Sequence, residues 1–181
     1  MGRSHLALIA LLLAAPAFAQ EPVGCDKFKW PLDRERTMLA NPTVVASGSQ
    51  VLQPLAAAMM LTLVPFADAK LPVAPERAPK SPDSYAGFVR VSGLPKPGTY
   101  RITLSEGAWI DVIQDGAARK TTAHSGATGC DGVRKSVKFE LAPGPMIIGL
   151  SGTTAHAVAL VDARLKILLA LVFGRRRRAM D

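Results

Sequence analysis

The segment from Pro97 to Gly152 constrains this chain most: short runs of alternating apolar and polar residues are cut at close intervals by turn dipeptides. Pro97-Gly98, Glu106-Gly107, Asp115-Gly116, Asp131-Gly132 and Pro143-Gly144 punctuate it. Period-2 alternation bounded by Gly, Pro and Asp at this spacing predicts antiparallel strands of a sandwich or barrel. Tyr100, Ile102 and Leu104 fall on one face of such a strand, with Arg101 and Thr103 on the other. Trp109–Gln114 is apolar on both faces and reads as a central strand, closed by a hairpin at Asp115-Gly116. Ala117–Ala123, carrying Arg119 and Lys120, reads as one polar edge strand. Farther on, Val133, Val137, Phe139 and Leu141 alternate with Arg134, Ser136, Lys138 and Glu140. Lys135 breaks that alternation on the inward face and is expected to snorkel at a strand end.

Flanking stretches extend the sheet. Pro31 suits a first helical turn, and Leu32, Arg36 and Leu39 follow at near-helical spacing, so one short helix is expected over Asp33–Ala40. Phe28 and Trp30 read as its anchors on the sandwich. Strands are expected at Thr43–Ala46, Met59–Val64, Ala67–Leu71, Tyr85–Val91, Met146–Leu150 and Ala157–Val161. Between them Pro72, Pro75, Pro79 and Pro82 mark an extended surface connector that can hold neither helix nor inner strand. The fold class is therefore all-β, an antiparallel, jelly-roll-like β-sandwich with one short N-terminal helix.

The first 19 residues have the order of a secretory signal peptide. A basic start at Arg3 is followed by the apolar run Leu6 to Ala15 and by Ala17-Phe18-Ala19 before Gln20. Export to a periplasm changes the reading of the two cysteines, because an even pair in an oxidising compartment is by default a disulfide. Cys25 and Cys130 are expected to pair. A nucleophilic Cys130 assisted by His124 is the rival, and a bridged sulfur would preclude it.

The +8 net charge suggests nucleic acid at first sight. Setting aside Arg3 in the leader, and Arg175 to Arg178 with Asp181 at the other end, leaves +4 for the body. The few aromatics are not interleaved with basic residues, so no stacking platform for single strands is present. Organisation is read as a leader over 1–19, a sandwich domain over 20–163 and an apolar and basic tail over 164–181. The apolar run from Leu165 to Phe173 is too short to span a bilayer as a helix. It is expected to pack on the domain as a terminal strand or helix, with two alternatives: contact with an anionic membrane surface through Leu165 to Arg178, aided by the arginines, or a stop-transfer anchor.

Catalytic and metal motifs are scarce. Beyond His5 in the leader there are only His124 and His156, with no H-E-x-x-H, C-x-x-C or G-x-S-x-G pattern. A two-histidine, one-carboxylate iron site could be drawn from His124, His156 and Asp131 or Glu140, yet both histidines fall in turn-like segments. No cofactor or metal is expected. The residues singled out for binding are Tyr100, Trp109, Asp111 and His124, the last opening a loop from His124 to Gly132.

The segments CDKFKWPLDRE, LPVAPERAPKSPDSYAGFVRV, GTYRITLSEGAWIDVIQDG and SGATGCDGVRKSVKFELAPGP resemble a family of small secreted α-proteobacterial proteins of unestablished activity. The resemblance runs from Cys25 to about Val161 and includes both cysteines, and Leu165–Asp181 departs from it. GTYRITLSEGAWIDVIQDG is also similar to the strand–turn–strand of secreted jelly-roll modules that bind rather than catalyse. What the resemblance implies is a binding or structural module with an unknown periplasmic ligand or protein partner. Some family members carry the label homogentisate 1,2-dioxygenase, which would imply a non-haem iron enzyme with a histidine and carboxylate cluster.

Overall fold

A computed structural model describes residues 20–52 and 57–164. The leader and the tail from Leu165 onward, with its expected membrane contact, lie outside the described residues. Twelve strands form two sheets. They are β1 (Thr43–Ala46), β2 (Gln50–Val51), β3 (Met59–Thr62), β4 (Val64–Pro65), β5 (Tyr85–Leu94), β6 (Gly98–Leu104), β7 (Trp109–Gln114), β8 (Ala117–Ala118), β9 (Thr121–Gly126), β10 (Lys135–Leu141), β11 (Gly144–Thr153) and β12 (Ala157–Arg164). The first sheet runs β1-β3-β12-β6-β10-β9 and the second β2-β5-β11-β7-β8, with β4 pairing onto β5. From β5 onward the long strands pass from one sheet to the other, apart from the adjacent pair β9 and β10, so each sheet interleaves strands distant in the chain. That is a jelly-roll arrangement. It is not wholly antiparallel: β1 pairs with β3, and β2 with β5, in parallel.

The alternation predicted the principal core correctly. Tyr100, Ile102, Leu104, Val137, Phe139, Leu141, Ile148, Leu150, Val158 and Leu160 all point between the sheets and are buried. Asp115 and Gly116 both take positive φ, 55° and 73°, in the tight hairpin between β7 and β8. That backbone suits the right-handed twist of the flanking strands.

Outside the first sheet a second, smaller core forms. Helix α1 (Asp33–Leu39) lays Leu32 and Leu39 against Ala159, Val161 and Val133, with Phe28 and Trp30 packed at its margin. Strand β12 is consequently covered on both faces, which explains its nearly continuous apolar run. Arg101 and Thr103 do occupy the face opposite Tyr100, but this face is not open to water. Arg101 pairs with Glu35 of α1, which is 1% exposed, and Thr103 Oγ1 lies 3.0 Å from Ser136 Oγ. Trp30 Nε1 donates to that same serine at 3.1 Å.

Three local expectations are corrected. Phe66–Asp68 is a 3-10 turn, and no strand spans Ala67–Leu71, because Pro65 removes a donor and the chain must turn into the proline-rich connector. The strand expected over Ala117–Ala123 is split: β8 ends the second sheet, and β9 crosses to the edge of the first. Trp109–Gln114 is not central, since its outer neighbour β8 covers only Ile113 and Gln114. Its outer face is instead capped by the connector, where the Glu76 N–H donates to Asp111 Oδ1 at 3.3 Å.

Cys25 and Cys130 form a disulfide with Cα atoms 4.7 Å apart. The bond anchors the N-terminal arm, which also runs beside the loop after β9. Thr128 N donates to Pro22 O and Gly24 N to Thr128 O, both at 2.8 Å. Gly129, at φ 63°, lets the arm approach closely: a Cβ there would lie 3.1 Å from Val23.

Candidate functional site

At one end of the sandwich a groove of about 530 Å³ opens between the start of β7, β9, the start of β10, the connector and the N-terminal arm. That volume suits a small ligand of one to a few rings. The site is built around Trp109. As the first residue of β7 it leans outward while Ile110 and Val112 enter the core, so strand periodicity places Asp111 on the same outer face. Trp109 Nε1 donates to Asp111 Oδ1 at 3.0 Å, which fixes the indole plane. Burial pushes the Asp111 carboxyl above its ordinary range, and the hydrogen bonds from Glu76 N and Trp109 oppose that only in part.

Cations crowd the indole. The Arg77 guanidinium from the connector sits 4.5 Å from the ring centroid, and Lys135 Nζ lies 5.1 Å from it. Lys135 is the residue that broke the alternation of β10. Its stem bridges the gap between sheets, and its ammonium donates to Ala108 O at 2.7 Å. Burial, first, and the nearby Arg77 and Arg134, next, depress its pKa. Lys80 and Arg134 complete a set of four basic side chains around the groove. Arg134 is held by Glu21 of the arm and reaches Ala127 O at 3.4 Å. Ser84, 3% exposed, lines the wall, and its buried hydroxyl has no hydrogen-bond partner among the described residues.

Of the residues singled out in the sequence, the structure brings three to this end. Trp109 and His124 line the groove, and Asp111 lies directly behind Trp109. Tyr100 is not with them: it is fully buried in the principal core, where its hydroxyl donates to Lys96 O at 2.6 Å. His124 is exposed within β9 and does not open a loop, because pairing with β10 continues through Gly126. Arg77, Lys80, Arg134, Glu21 and Ser84 were not singled out. The one local signal among the lining residues was the misplaced charge of Lys135.

The donor set for a metal does not assemble. Among the described residues no group of three or more His, Cys, Asp and Glu side chains could hold an ion. His156 instead stacks on Tyr85 at 4.2 Å between ring centroids, and Glu140 bonds to Thr99 on the neighbouring strand. An iron centre built from His124, His156 and Asp131 or Glu140 therefore does not fit these positions. Cys130 is bridged and holds no thiolate. A second depression of about 550 Å³ lies over the second sheet, near Val73, Arg90, Ile113 and Ile147. It lacks the ring of cations. Among the described residues no helix is long and apolar enough to cross a membrane. Comparison with protein-family models, curated proteins and solved structures finds none that matches the chain.

Proposed function

We propose that this protein is an exported, non-catalytic binding module of the periplasm that meets its ligand in the groove beside Trp109. The observation that carries the reading is the convergence of one fixed indole and four basic side chains on a single concavity. Polar groups held at a rigid strand end are what a recognition site needs before its ligand arrives. The disulfide between arm and loop is compatible with an oxidising, extracytoplasmic setting. The alternative, a dioxygenase, requires an iron-ligand cluster that the positions of His124 and His156 do not supply.

The test is retention of the full chain, purified from periplasm, on an array of neutral and charged saccharides and small metabolites. Binding by the wild type, lost in Trp109→Ala and in the exposed-site variant Arg77→Ala at unchanged melting temperature, is the expected result. Stoichiometric iron together with homogentisate ring cleavage, both abolished in the double variant His124→Ala/His156→Ala, would overturn the reading.

A further inference from the structure

We infer that the Trp109 groove is a receptor for a multivalent oxyanion, and that the carboxylate of Glu21 occupies one of its anion positions in the free protein. The inference rests on the groove being the binding site, and it adds the chemistry of the ligand.

Charge balance is the first argument. Arg77, Lys80, Arg134 and Lys135 surround the concavity, yet among the described residues only Arg134 is in an ion pair. Asp111, behind the indole, offsets part of this charge by supporting the Lys135 proton, so with Glu21 it sets two carboxylates against the four cations. Lys135 shows the consequence: Arg77 and Arg134 both act against its proton, with burial the larger influence. Cations gathered at a half-buried site with too few counter-charges repel one another, and an anion entering among them relieves that repulsion.

Geometry is the second. Arg134 already grips a carboxylate, that of Glu21, and Nη1 of the same guanidinium reaches Ala127 O. Glu21 comes from a largely exposed arm segment, and its side chain is 62% accessible. It is a weakly held internal anion on a group suited to forked recognition of carboxylate or phosphate. Lys80 and Arg77 stand at the rim, Arg77 over the indole, and neither is in an ion pair among the described residues. The arrangement asks for a ligand with two or more negative groups, one displacing Glu21 and another reaching Arg77 and Lys135. Carboxylates carried on a sugar chain and phosphates of a small free anion share this chemistry.

The experiment is calorimetric titration of the full chain with three probes: trigalacturonate, its uncharged methyl ester, and pyrophosphate. At least one of the two anions is expected to bind, the methyl ester is not, and added salt weakens binding. The stronger anion identifies the source, sugar-borne carboxylate or free phosphate. Arg77→Gln and Lys135→Gln are each expected to weaken binding about tenfold or more. Glu21→Gln is expected to strengthen it about two- to fivefold, since it frees Arg134 from an exposed competitor. Should Lys135→Gln fail to fold, Arg77→Gln and Lys80→Gln carry the same test from the exposed rim. Absence of binding by both anions overturns the inference. Equal binding of the methyl ester, sensitive to Trp109→Ala, also overturns it while leaving the groove as a binding site. Glu21→Gln weakening the anion refutes the competitor role.

Discussion

Asp162 gives the sharpest test of the fold. It lies on β12 between the inward-facing Leu160 and the strand's end, paired across to Ile102 of β6, fully buried, and neither carboxylate oxygen has a partner on another residue among the described residues. Burial raises its pKa from the ordinary 3.8 to about 7, opposed only by its own backbone N–H. The native state therefore keeps the proton at pH values where the unfolded chain has lost it. Between about pH 4 and pH 7 the unfolded state binds fewer protons, so stability falls as pH rises and levels off above 7. A gap of about three pH units at 1.36 kcal/mol each amounts to roughly 4 kcal/mol, of which about 2.5–3 kcal/mol is lost between pH 5 and pH 8. Asp162→Asn cannot ionise. Its stability relative to wild type should improve by about 2.5–3 kcal/mol on going from pH 5 to pH 8, although the amide carries its own unsatisfied groups at both. Asp162→Leu, which keeps the branching at Cγ and removes the orphan oxygens, should gain on wild type most clearly at pH 8. Urea denaturation of the oxidised protein at the two pH values measures both. A difference between wild type and Asp162→Asn that stays constant from pH 5 to pH 8 would refute the reasoning.

Two further outcomes are expected. Replacing both Cys25 and Cys130 by serine opens a closure of sequence separation 105; the chain-entropy relation gives a loss of about 4–5 kcal/mol in denaturant unfolding, and a loss below about 1 kcal/mol would contradict it. Glu35→Ala strands the Arg101 guanidinium, whose Nε already lacks a partner, beneath α1; it should cost about 3–5 kcal/mol, and adding Arg101→Leu should recover most of that, whereas additive losses in the double variant would argue against a buried pair.

Alternation and turn dipeptides made the sandwich legible because both act locally: a side chain's face follows from its parity, and Asp115-Gly116 specifies its own hairpin. The cysteine pair was legible for a different reason, namely that two thiols in a chain read as exported have one partner each. What could not be read depends on residues far apart. Arg101 and Thr103 look like solvent-facing positions, since parity says which side they occupy but not what covers it; their cover, Glu35 and the helix around it, lies 66 residues away. The split of Ala117–Ala123 between sheets leaves no local trace, because a strand that changes sheets keeps the same alternation. The groove was half visible. Trp109, Asp111 and His124 drew notice by residue type, whereas Arg77 and Lys80 sat in a connector whose prolines said only what it could not become. Tyr100 misled because an aromatic with a polar tip suits a binding face and also a core with a carbonyl in reach.

The N-terminal arm ties these parts together. Cys130 belongs to the second core, on the outer face of the first sheet, and not to the principal core between the sheets. Opening the disulfide therefore leaves the contacts of the sandwich interior in place and acts on the arm. Without the bond, the arm's start is held by the Val23–Thr128 bridge with its backbone hydrogen bonds, and by the Arg134–Glu21 pair. That pair is substantially exposed and contributes at most about 1 kcal/mol. Glu21 and Pro22, which form one wall of the groove, would then be free to leave it. The complete groove is thus coupled to the oxidation state of a bond 25 to 130, and so to a compartment in which that bond persists. Strand pairing sets Trp109 and Lys135 in place with the fold, and fastening of the arm adds the wall formed by Glu21 and Pro22.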